Sequence, residues 1–184
     1  MVICTDYLAL ERYHLNYTQI HDKGVLTGEV SKFFEQKDED GDYLHETCCI
    51  QLSYAFNNAG PMIQNFGVLP ANRIMKDAKG MEYILSVPEM KTYLTRNHFA
   101  PEVFPGAGSA QNLASKIGAR KGVIAFGDRH IDLWNGRNFQ YGGTGLYLEN
   151  VLWFSKPKER TGPRTISFWE VKTFDAVLQE MYGF

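Results

Sequence analysis

Cysteine is scarce in this 184-residue chain: only Cys4, Cys48 and Cys49 are present, and two of them are adjacent. An odd count with an adjacent pair argues against the disulfide framework that staples small secreted domains, and it leaves at least one free thiol. Charge of one sign is scarce too. Lys and Arg number 19 against 21 Asp and Glu, the formal net charge is −2, and no run of five or more like charges appears. The electrostatic footprint of a nucleic-acid binder is therefore missing. No stretch approaches the roughly 20 apolar residues that cross a bilayer, so membrane insertion is not expected. The opening MVICTDYLALERYHLNY has no basic segment followed by a long apolar one, and it does not read as a secretory signal. Zinc spacing is lacking among Cys and His, and adjacent thiols chelate poorly, so no metal is expected. The glycine-containing GAGSA and QYGGTG have no phosphate-loop lysine and read as turns, which leaves no nucleotide cofactor to bind.

The chain has the composition of an ordinary globular protein, 44% apolar and 22% charged, and its length suits one domain over residues 1–184. GEVSKFFEQ reads as a short helix with Val30, Phe33 and Phe34 on one side, followed by a polar loop, KDEDGDYLHE. In CCIQLSYAFNNAGP, Cys49, Leu52, Ala55 and Phe56 recur at helical spacing. Thr47 stands at the N-cap position and Gly60-Pro61 closes the segment, which predicts a helix from about Cys48 to Asn58. MEYILSV reads as a strand and PEMKTYLTRNHF as a helix with Pro88 near its start. FAPEVFPGAGSA reads as a loop and QNLASKIG as a short helix ending at Gly118. Strands are expected at 122–126, 129–134 and 137–141, the last two joined through the hairpin signal Asn135-Gly136, and again in GLYLENVLWF and TISFWEVK. Helices first and strands later predict an α+β domain, with helices packed on one side of an antiparallel sheet.

A thiol in the first turn of a helix lies near unpaired backbone N–H groups and the positive end of the helix dipole, both of which favour the thiolate. Cys48 sits there. Cys49, about 100° further round, shares the apolar stripe of Leu52 and Phe56 and reads as a packing residue. Taken alone, the helix equally allows both cysteines to be small core hydrophobes. A nucleophilic thiol needs a base, and the chain offers His14, His21, His45, His98 and His130. Only His130 falls in a strong strand signal, where His130, Asp132 and Trp134 share one face and Ile131 and Leu133 the other. A carboxylate two residues on can orient such an imidazole. Cys on a helix start and His on a distant strand are the outline of a papain-like site. His45, three residues before Cys48, is a minor alternative base.

These residues also carry a family resemblance. ETCCIQLSYAFNNAG resembles the nucleophile motif of type VI secretion amidase effectors of the fourth family, N-T-C-A-I-R-M-S-x-A-L-N-x-x-G, and RHIDLWNG resembles their second motif, G-H-x-D-L-W-x-G. The similarity extends in order from about Val25 to Lys172 and includes ISFWEVK. It implies a papain-like α+β fold similar to NlpC-type cell-wall peptidases, a catalytic Cys48 with His130, and Cys49 at a position usually held by alanine. It implies cleavage of the D-glutamyl to meso-diaminopimelate bond of peptidoglycan stem peptides. It further implies delivery by the type VI secretion apparatus into the periplasm of a rival bacterium, and a dedicated immunity protein in the producer.

Two positions depart from the family pattern. Where family members carry an aspartate on the strand after the histidine, this chain has Asn138, Phe139, Gln140 and Tyr141, so the orienting role falls to Asp132 or Gln140. Arg129 replaces the glycine before the histidine. The expected catalytic set is Cys48, His130 and Asp132. A fold that has lost its triad and only binds, or a cysteine protease or acyltransferase acting on proteins, are the alternatives.

Overall fold

The computed structural model describes residues 2–40, 47–105, 110–137 and 165–183. Among these, β1 (Ile3–Cys4) leads into three short helices, α1 (Tyr7–Tyr13), α2 (Tyr17–Lys23) and α3 (Gly28–Phe34), and then the longer α4 (Cys48–Ala59). A hairpin of β2 (Ile74–Lys76) and β3 (Glu82–Ile84) precedes α5 (Val87–Asn97), β4 (Glu102–Pro105) and α6 (Ala110–Ile117). The chain continues through β5 (Gly122–Phe126), β6 (His130–Trp134), β7 (Thr165–Lys172) and α7 (Phe174–Tyr182).

β7 is the spine of the sheet. Along one edge it pairs antiparallel with β5, Gly122 opposite Glu170 and Phe126 opposite Ile166, and β6 follows antiparallel beyond β5. Its other edge is shared: β4 lies antiparallel over residues 165–168, and β1 runs parallel beside Val171 and Lys172. The period-two alternation of these strands feeds two separate cores. Val123, Ala125, Ile131, Leu133, Trp169 and Val171 face α1 and α4, whereas Ile124, Phe126, Trp134, Ile166 and Phe168 face α6 through Leu113 and Ile117. The N-terminal helices thus pack on one face as expected, and α6 covers the opposite one. Both sheet faces are apolar interior, which is why β5 is buried at every position.

α4 is buried nearly all round. Leu52 and Phe56 are inaccessible and pack toward the sheet, each contributing about 2–3 kcal/mol of apolar burial. Ile50 points the other way, into a third cluster with Val30, Phe34 and Tyr83. Two buried polar residues one turn apart explain part of the motif in this helix. Ser53 Oγ accepts from the Ile84 N–H at 3.1 Å, and Asn57 donates to the Glu82 carbonyl while accepting from the Ile63 N–H, both at 2.9 Å. They satisfy backbone groups of β3 and, at Ile63, of the segment after α4 that would otherwise be buried without a partner. The helix is thereby fixed in register against the hairpin.

Several local expectations shift. Thr47 precedes α4 but does not cap it; its hydroxyl accepts from Gln51 Nε2 at 3.1 Å. The strand expected in MEYILSV is only Glu82–Ile84, because Ser86 and Val87 already open α5. The stretch read as a loop at FAPEVFPGAGSA contains β4, whose hydrogen bonds come from distant β7. Asn135-Gly136 does turn the chain, with Gly136 at φ +89° and Asn135 Oδ1 accepting from the Arg137 N–H at 3.0 Å. Asn135 itself keeps a negative φ, so the turn is not the type I′ that Asn-Gly favours in two-residue hairpins. The strand expected at 137–141 beyond Arg137, and the one in GLYLENVLWF, lie outside the described residues.

Candidate active site

Cys48 is the first residue of α4, and the helix brings it to β6, the outermost described strand of the sheet. Its sulfur lies within hydrogen-bonding reach of the His130 ring and of the Ile131 backbone N–H. His130 opens β6, where Phe126, its partner on β5, stacks beside the ring at 6.3 Å between centroids. The turn joining the two strands is held from outside by Lys91 of α5, which donates to the Gly127 carbonyl at 3.1 Å and pairs with Asp128 at 2.6 Å. Two residues along β6, Asp132 is almost fully buried, and its Oδ2 stands 3.5 Å from His130 Nε2. With Nε2 turned to Asp132, Nδ1 is the nitrogen left for the thiol. The other carboxylate oxygen accepts from the Leu133 N–H at 2.7 Å.

The electrostatics of this trio favour charge separation. Cys48 is held well below the ordinary thiol range, first by a hydrogen bond from the Cys49 thiol and then, against the cost of burial, by the hydrogen bond and charge of His130 and the Ile131 N–H. Cys49 therefore does more than the packing expected of it: it lies in the core with Leu52 and Phe56, and its thiol also faces the neighbouring sulfur. Burial acts to lower the pKa of His130, but the hydrogen bonds and charges of Asp132 and Cys48 outweigh it and raise the pKa to about 10. A thiolate and an imidazolium therefore coexist over a wide pH range, bounded below by the thiol and above by the imidazole.

The sign of each limit gives a test. Cys48 should be alkylated by iodoacetamide at pH values well under the ordinary thiol pKa of about 8.5, and the imidazolium should persist until the pH approaches 10. Asp132→Asn removes a group that raises the pKa of His130, so the upper limit should move down in pH. An unmoved upper limit in that variant would show that Asp132 does not act on His130.

The structure thus places Cys48, His130 and Asp132 side by side. His45 and Gln140 lie outside the described residues. A fourth group is not singled out by the sequence: His14, at the end of α1, is 1% exposed, and its Nδ1 lies 3.6 Å from Asp132 Oδ1. Nothing local marks it, because it reaches the site only through the packing of α1 on α4. Among the described residues no group of three His, Cys, Asp or Glu side chains is arranged to hold a metal ion, and no helix is long and apolar enough to cross a membrane.

Residues 44–169 match the sequence profile of a family described as type VI secretion system (T6SS), amidase effector protein 4. No curated protein matches the chain at a significant level. Among solved structures, the type VI effector Tae4 from Enterobacter cloacae is similar with a TM-score of 0.62 at 17% identity, over 93% of this chain and 99% of that one. A chain of the Tae4-Tai4 effector-immunity complex from Salmonella Typhimurium is similar with a TM-score of 0.62 at 20% identity, over 90% and 94% of the two chains. The corresponding complex from Enterobacter cloacae gives 0.61 at 18%, with the same coverage. The shared fold is the papain-like α+β arrangement of helices on a sheet.

Proposed function

This chain belongs to the type VI secretion amidase effector family 4, and we propose that it uses Cys48 to hydrolyse the D-glutamyl to meso-diaminopimelate bond of peptidoglycan stem peptides. The observation that carries this reading is the meeting of a helix-start thiol with a histidine whose far nitrogen faces a buried carboxylate.

In this mechanism the Cys48 thiolate attacks the amide carbonyl carbon, and the Cys48 backbone N–H, at the start of α4, helps bind the developing oxyanion. The His130 imidazolium gives its proton to the leaving diaminopimelate amine. A water molecule, deprotonated by the now neutral His130, then attacks the thioester and releases the glutamyl carboxyl group, regenerating the Cys48 thiolate and the His130 imidazolium. Asp132 holds the ring with Nδ1 toward sulfur and stabilises its positive charge. Asp132, buried beside His130, offers a carboxylate where positions 138–141 hold none in sequence, and this favours an enzyme over a module that only binds.

The whole chain is read as one amidase domain, delivered by a type VI apparatus and acting in the periplasm of the recipient. The relatives crystallised with Tai4 are effectors paired with an immunity protein, and a dedicated immunity partner for this chain follows by analogy.

Purified peptidoglycan digested with the protein and resolved by mass spectrometry is expected to yield muropeptides ending in a free D-glutamyl carboxylate, together with fragments bearing a free diaminopimelate amine. Unchanged muropeptides, or products cut only in the glycan strand, would overturn the assignment. Cleavage or acyl transfer on proteins with peptidoglycan left intact would favour the protein-directed alternative.

A further inference from the structure

Asp132 has a second histidine on its far side. His130 Nε2 stands 3.5 Å from Oδ2, and His14 Nδ1 stands 3.6 Å from Oδ1, the oxygen that also receives the Leu133 N–H. We propose that His14 is a positioning residue of the active site: its Nδ1 edge, set against Asp132 Oδ1, confines the carboxylate that orients His130. The inference rests on the reading of Cys48 and His130 as the reacting pair.

The placement of His14 is built by the fold rather than by its own segment. It stands at the C-terminal cap of α1, where its backbone N–H donates to the Leu10 carbonyl at 2.9 Å and Leu15 begins the turn toward α2. Tyr7 and Leu10 bury α1 against the core shared with α4, and that packing delivers the ring to the interior side of the Cys48–Asp132 cluster.

Among the described residues, the ionisable groups facing the ring include Asp132 and His130 from β6, and Cys48 from α4. Tyr7 from α1 faces Asp132 in turn. Burial dominates over the attraction of Asp132 and Cys48 and keeps the His14 pKa below its usual value, so the ring is the neutral form at working pH. A neutral imidazole suits this place. One cation, on His130, balances the thiolate across the reacting pair. A second cation on the far side of Asp132 would compete with His130 for the carboxylate and weaken the force that keeps His130 protonated.

A neutral ring leaves the charge of Asp132 intact and restricts its freedom to rotate. Orientation is then transmitted as a chain, from the end of α1 through the carboxylate to the ring that faces sulfur. This arrangement also suits a catalytic pattern in which the carboxylate stands two residues along the histidine's own strand, where it needs an external hold to face sideways into the ring.

Three substitutions separate positioning from packing. In His14→Asn a side-chain amide atom occupies the place of Nδ1 but the residue is much smaller; in His14→Gln the amide sits nearer the place of Nε2; His14→Leu has no polar atom and comes closer to histidine in volume. If His14 acts through Nδ1, Asn should keep the pH titration of the His130 imidazolium, followed by NMR, close to wild type. Gln and Leu should bring the upper pH limit down by about one unit and lower kcat roughly tenfold with little change in KM.

If the histidine only fills space, the order follows volume, with Asn the worst and the pH limits unmoved in all three, and the proposal is overturned. Should the leucine variant not fold, the asparagine and glutamine pair decides by the same criterion. That titration needs no substrate. A wild-type protein that shows the wide thiolate window yet leaves peptidoglycan intact would therefore sink the assigned activity, while the comparison at His14 would still decide whether that ring positions Asp132.

Discussion

Replacing Cys48 by alanine is expected to reduce peptidoglycan hydrolysis by about five orders of magnitude, to the level set by substrate binding and oxyanion contacts alone. The size follows from covalent catalysis: without the sulfur no acyl-enzyme forms, and water must attack the amide unaided. His130→Ala should cost nearly as much, and the double variant little more than either alone, because nucleophile and base act as one unit. Cys48 is 7% exposed and touches the main core, so loss of activity must be separated from loss of fold. Alanine removes a single sulfur atom from a site at the helix start. Circular dichroism and the urea midpoint are therefore expected to stay near wild type, and activity surviving in a folded Cys48→Ala protein would remove the basis of the proposed mechanism.

The largest expected effect on stability lies at Gly122, the first residue of β5. A Cβ there would come within 2.1 Å of the Trp169 carbonyl oxygen and 2.9 Å of the Phe168 ring. Both neighbours belong to β7, the strand on which the whole sheet is assembled. A flexible side chain could swing aside, but a backbone oxygen in the middle of a ladder cannot move without breaking the β5–β7 pairing. Gly122→Ala should therefore destabilise by roughly 3 kcal/mol or more, a large share of the 5–15 kcal/mol typical of a domain. Urea denaturation followed by tryptophan fluorescence measures it, and a midpoint within error of wild type would show that the strands separate here at little cost. The activity should fall in parallel with the folded fraction, because β6, which carries His130 and Asp132, is held to the sheet through β5.

The elements legible in the sequence were those whose burial pattern is local. The helix expected over 48–58 is observed as Cys48–Ala59, and the strand at 122–126 has the expected limits, because helical spacing in one and a continuous apolar run in the other are written into adjacent residues. The strand of TISFWEVK was legible for the same reason. β4 was not: EVFP sits among proline and glycine, and it becomes a strand only because β7, some sixty residues later, offers it hydrogen bonds. β1 is likewise two residues long and exists through its parallel pairing with the end of β7.

The residues proposed to react divide along the same line. Sequence alone determined the placement of Cys48 at a helix start and of His130 and Asp132 on one face of a strand, since both follow from the period of a single element. Tertiary structure alone decided that these two elements meet, that the Cys49 thiol turns toward its neighbour as well as into the core, and that His14 stands behind Asp132. The physical reason is range. Periodicity fixes which way a side chain points from its own backbone, whereas the distance between side chains on different elements depends on how buried surfaces pack, and no single segment contains that information.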